Sequence, residues 1–175
     1  MEKPKSAFGV AVKYAIITAL AMFIFSLLVY LMNLYTSNWV NWLGYLILFA
    51  GLIFVVKERR DKELGGYITF GQAWSTGFLF CIITGLIGVV TSYLLMNVIA
   101  PEMIDEILRV SEQRMIDKGM PEEQIDVAME WTRKFVTPTW FAIWGVVMTA
   151  IFGAILSLIV AGIFKRENPN LPPQA

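Results

Sequence analysis

Three stretches of this chain, residues 14–56, 64–101 and 135–164, contain no Asp, Glu, Lys or Arg. No other feature limits the fold as strongly. A hydrocarbon layer of roughly 30 Å takes about 20 apolar residues to cross as a helix. The first stretch has room for two crossings and the others for one each. The expectation is an all-α membrane protein, a single helical bundle over residues 1–175. Its four transmembrane helices are placed at about 14–35, 39–56, 70–100 and 138–164.

Local signals punctuate those spans. Thr36, Ser37 and Asn38 are capping candidates in a short turn between the first two. Pro101 stops the third, and Pro138 suits the first turn of the fourth. The tail over 167–175 is Pro-rich and reads as disordered. The lysines near the start resemble a secretory signal, but the apolar run behind them is too long and lacks a small-x-small cleavage site, so it reads as a retained helix.

Basic residues set the orientation. Lys3, Lys5, Lys13, Lys57, Arg59, Arg60, Lys62, Lys165 and Arg166 all fall to one side of a four-span arrangement. Positively charged flanks face the cytoplasm, so both termini and the Lys57 loop are expected there, in a multi-pass protein of the inner (plasma) membrane. The segment 102–136 then lies outside. Its apolar residues recur at helical spacing around Gly119 and Pro121, which reads as an amphipathic helical hairpin, with Asp105–Arg109 and Glu130–Lys134 as supporting pairs.

Composition narrows the chemistry. With 14 basic and 14 acidic residues, net charge is zero, and no nucleic-acid partner is expected. Histidine is absent and Cys81 is the sole cysteine, so no intramolecular disulfide, metal site or cofactor is expected. Cys81 reads as a small apolar filler. The carboxylates lie outside the spans and read as a solvated charged face, without a nucleophile–base pair, so an enzyme is not expected. The lack of an ionisable residue within the spans also disfavours a proton-coupled antiporter.

The segment KERRDKELGGYITFGQAWSTG (57–77) looks most like a site. Gly65 and Gly66 can end a helix and turn the chain. Thr69 and Gln72 have capping-box spacing around Phe70 and Gly71, and Tyr67, Phe70 and Trp74 suit headgroup depth. A helix stop, a reversal and a restart account for most of these residues. The functional alternative is an anionic lipid or headgroup site built from Arg59, Arg60, Gly65 and Gly66. Neither GxGxxG nor a Walker A pattern is present.

Small residues recur on two further spans. Gly145, Thr149, Gly153, Ser157 and Ala161 are four apart, as are Gly77, Cys81 and Gly85, with Thr84, Gly88 and Ser92 on the next row. Such rows let membrane helices approach closely. The third and fourth spans are expected to pack through them, with a homodimer through the last span as the alternative.

GGYITFGQAW after a basic loop, with KGMPEEQIDVAME before the last span, resembles the bacterial membrane-protein family called domain of unknown function 4199. The resemblance covers essentially the whole chain. It implies a small four-helix inner-membrane protein, and it carries no established activity and no catalytic residues. The functional expectation is an interaction or accessory subunit that uses residues 102–136 to meet a membrane-protein partner or a second copy. The alternative is a small oligomeric transporter or channel for a neutral or lipid-like solute. Membrane lipids are partners under either reading.

Overall fold

The computed structural model describes residues 6–34 and 37–168. Lys3, Lys5, Thr36 and residues 169–175 of the Pro-rich tail lie outside the described residues. Among those described, the chain forms six α-helices and no strand: α1 (Ala7–Leu31), α2 (Asn38–Glu58), α3 (Phe70–Leu94), α4 (Glu102–Asp117), α5 (Glu122–Phe135) and α6 (Pro138–Phe164). Wider π-helical turns extend α2 through Arg59–Glu63 and α3 through Leu95–Ile99.

The caps explain several boundaries. Ser6 accepts the Gly9 N–H, so α1 starts a turn and more before the charge-free run. Asn33, at φ 54°, turns the chain after α1, a conformation Asn tolerates better than most residues. Ser37 sits at the cap of α2 without a side-chain bond to it. Thr137 accepts the Trp140 N–H, and Pro138 occupies the first turn of α6.

Among the described residues, three helices, rather than the four expected, are long and apolar enough to cross a membrane: Ala7–Leu31, Phe70–Ile99 and Pro138–Phe164. The shortfall is at α2. Its sequence opens with two Asn–Trp-type polar positions and closes on Lys57 and Glu58, leaving residues 43–56 as its apolar middle. At 1.5 Å per residue those cover only about 21 Å, short of the roughly 30 Å hydrocarbon layer.

Long-range contacts fix the helix directions. Lys13 near the start of α1 bonds Glu58 at the end of α2, and Gly51 lies against Thr18. Ile68, just before α3, exchanges both backbone hydrogen bonds with Arg166, just after α6. The starts of α1 and α3 and the ends of α2 and α6 therefore share one end of the bundle, which also carries the Lys57 loop. The opposite end carries α4 and α5. The main core lies toward the basic end, where Val10, Ala11, Leu52, Val55, Val56, Phe80 and Val160 are essentially inaccessible.

At the far end, Leu95, Ala100 and Met103 form a smaller cluster with Leu27, Tyr30 and Ile107 around it. The Tyr30 hydroxyl donates to the Glu102 carboxylate, tying α1 to the start of α4. Gly119, at φ 71°, lets the chain turn between α4 and α5, which pack on each other. On α5 the Glu130–Lys134 pair forms at 2.8 Å. Arg109 bonds Glu106 at 2.7 Å, one position nearer than the Asp105 expected from spacing.

Candidate functional site at the basic end of the bundle

The chain reversal after α2 is built from local bonds. The π-helical turn brings Leu64 N–H to Arg59 O (3.0 Å) and Gly66 N–H to Arg60 O (2.7 Å). Both glycines sit in the left-handed region, at φ 67° and 91°, where a side chain would strain the backbone. Thr69 Oγ1 accepts the Gln72 N–H at 3.3 Å, and Gln72 Oε1 accepts the Thr69 N–H at 3.1 Å, a complete capping box. Phe70 and Gly71 form the exposed first turn of α3. The N–H groups of Leu64, Gly66, Ile68, Thr69 and Gln72 thus already donate within the chain, so the turn is not a ring of free donors awaiting an anion.

The cations around it are organised too. Glu58 is the hub: its carboxylate accepts from Lys13 Nζ (2.7 Å), Tyr14 Oη (2.7 Å) and Lys62 Nζ (3.0 Å). The hydrogen bonds from Lys13, Tyr14 and Lys62, in that order, lower its pKa to about 2. Arg59 turns inward and donates from Nη1 to Thr76 Oγ1 at 2.6 Å, while Thr76 donates to Gln72 O. Burial pulls the Arg59 pKa downward. Arg60 holds Asp61 at 2.6 Å, lies over the Phe164 ring and reaches Phe164 O. Arg166 lies over the Tyr67 ring. Trp74 stacks on Phe78 with its rings nearly parallel.

Sequence reading singled out Arg59, Arg60, Gly65, Gly66, Thr69, Phe70, Gly71 and Gln72, and the structure gathers all eight at this end. It missed Lys13, Tyr14, Glu58, Thr76 and Arg166. An acidic residue inside a basic run, Glu58 among Lys57, Arg59 and Arg60, was the one available signal.

The small-residue rows meet along α3 and α6 in antiparallel rungs. A Cβ added at Gly77 would lie 2.9 Å from Ser157 Oγ, one at Gly153 2.5 Å from Cys81 Cβ, and one at Gly85 3.3 Å from Thr149 Cβ. Gly145, next along the α6 row, and Gly88, on the neighbouring row of α3, meet nothing within 4 Å. There the two helices stop touching along this seam and a cavity begins.

These features define a class: among the described residues, an all-helical bundle with three helices of membrane-crossing length, close-packed on glycines and with a cluster of cations at one end. The family model described as "Protein of unknown function (DUF4199)" matches residues 13–166, and the chain belongs to that family. No curated protein and no solved structure matches it.

Proposed function

We propose that this chain is a non-enzymatic integral protein of the bacterial inner membrane that acts as an interaction or accessory subunit through α4 and α5. Four crossings are part of this reading. α1 and α3 both run away from the basic end, so α2 must bring the chain back. Its short apolar middle is extended by Trp39 and Trp42, both exposed, which suit the interfacial aromatic belt. Lys57 reaches the opposite interface. The clustering of Lys13, Lys57, Arg59, Arg60, Lys62, Lys165 and Arg166 at one end supports placing that end and both termini in the cytoplasm. The α4–α5 hairpin is then external. An anionic headgroup near Arg59 and Arg60 fits the same arrangement.

One observation carries the interaction reading. Ile125 and Met129 of α5 are buried, while Val127, Trp131 and Phe135, one turn apart each, are about half exposed. Trp131 stacks on Phe135, and Phe135 lies 5.1 Å from Trp140 at the start of α6. The exposed stripe therefore continues into the lipid-facing row of Trp144, Met148, Ile151 and Ile155. Lipid covers the lower part of such a ribbon but not the part above the headgroups. A second polypeptide that itself crosses the membrane would cover both.

Native mass spectrometry of the tagged protein, extracted from its own membranes in mild detergent, tests this. A second integral protein at fixed stoichiometry, lost on Val127→Glu/Trp131→Glu substitution, is the expected result. A monomer carrying only lipid, or a self-assembled oligomer indifferent to that substitution, would overturn it.

A further inference from the structure

The cavity that opens where the α3–α6 rungs end measures about 220 Å³. All four long helices line it: Met22 and Ser26 of α1, Leu48 of α2, Thr84 and Gly88 of α3, and Gly145 of α6 are among its walls. Toward the basic end it is closed by the filled core, where Phe80 and Leu52 are fully buried and Thr18 is seated against Gly51. It is a blind chamber rather than a continuous pore, and it lies in the half of the bundle nearer α4.

Two observations make it more than a packing gap. Gly88 and Gly145 each weaken their helix by about 1 kcal/mol relative to alanine, and neither gains a close contact in return. An occupant would supply that contact. The second is the chemistry of the walls. Ser26, Thr84 and Thr91 donate to carbonyls of their own helices, at 2.9 Å to Met22, 2.8 Å to Phe80 and 3.1 Å to Gly88. Their donors are used and each oxygen keeps a lone pair for a further bond, while the hydroxyls of Ser92 and Thr149 also line the chamber and can donate. No charged residue lines the chamber, so an ion or zwitterion would lie uncompensated at membrane depth.

We propose that this chamber binds an uncharged, mainly apolar small molecule that can both donate and accept a hydrogen bond, of the alkanol or phenol class. An apolar cavity of about 150 Å³ holds benzene. By proportion this one takes roughly nine heavy atoms. The inference rests on the chamber alone and stands or falls separately from the interaction reading of α5.

Photolabelling with a diazirine-bearing hexanol, on the intact protein in lipid nanodiscs, tests it. Saturable labelling of Met22, Phe23, Leu95 or Phe141 is expected, competed by unlabelled hexanol. It should fall at least tenfold in Gly88→Leu/Gly145→Leu, which fills the chamber, and persist in Gly162→Leu, where an added Cβ also meets open space but outside the chamber. Gly145→Val alone adds less volume than the double variant and is read if that variant does not fold. Label spread over Ile151, Leu158 and Ile163 without competition overturns the proposal. So does equal labelling in the filled variants, or competition by short-chain phosphatidylcholine but not by hexanol, which would make the occupant a lipid tail.

Discussion

Gly153 of α6 and Cys81 of α3 approach so closely that a Cβ on the glycine would sit 2.5 Å from the cysteine Cβ. In lipid, helices gain nothing from leaving water, so this kind of close approach supplies the association energy. Gly153→Ala should therefore destabilise the protein by about 1–3 kcal/mol through overpacking. Gly145→Ala, which enters open space, should be neutral or gain up to about 1 kcal/mol of helix propensity. Thermal unfolding of both variants in one detergent checks the pair. Equal losses at the two positions would show that the helices do not part where they do here.

The Glu58 hub gives a pH dependence whose sign is fixed. Folding lowers the Glu58 pKa from 4.5 to about 2, so the folded state favours the ionised carboxylate. That contribution is complete above pH of about 4.5 and drains away as acid carries the protein down toward pH 2. Glu58→Gln should lower stability at neutral pH by about 1–2 kcal/mol and flatten the melting temperature across that acid window. Parallel curves for the two proteins would remove Glu58 as the hub.

At the chain reversal, Gly65→Ala and Gly66→Ala should each cost about 1 kcal/mol, because both positions need positive φ. Thr69→Ala should cost about 1 kcal/mol by deleting the cap, while Thr69→Ser should retain most of it. Denaturant melts of the four variants check this. A harmless Thr69→Ala would mean that α3 is held by Ile68–Arg166 pairing alone.

For lipid, the expected result is weaker retention of anionic phospholipid in Arg59→Gln/Arg60→Gln than in the wild type, read by mass spectrometry of co-purified lipid. Basic residues near an anionic leaflet contribute about 1 kcal/mol each. Because Arg59 is engaged with Thr76 and Arg60 with Asp61, the single Lys57→Gln variant is the informative companion. A larger effect from Lys57 than from both arginines would make this attraction diffuse rather than a site.

The local features were legible in the sequence because their causes are local. Thr69 and Gln72 are three residues apart, the turn glycines are adjacent, and Pro138 sits at the helix start it signals. The Lys13–Glu58 and Ile68–Arg166 contacts join residues 45 and about a hundred positions apart, and no periodicity encodes such pairings. Nor does a row of small residues reveal where it stops touching its partner. Gly88 and Gly85 look alike in the chain and both border the chamber, yet only Gly85 comes close to Thr149. At α2 one charge-free run covered two helices, which concealed how few of its apolar residues α2 received.

The bond pair between Ile68 and Arg166 also orders biosynthesis. A ribosome delivers Ile68 long before Arg166, and beyond Leu52 beside Gly77 the glycine face of α3 lacks its α6 mate until residues 149–157 emerge. Until then that part of α3 has to wait without its α6 partner while α4 and α5 are made. Arrival of α6 closes the rungs, and Arg166 then acts as the final latch. Truncation just before residue 166 would leave every helix synthesised but this last clasp unformed.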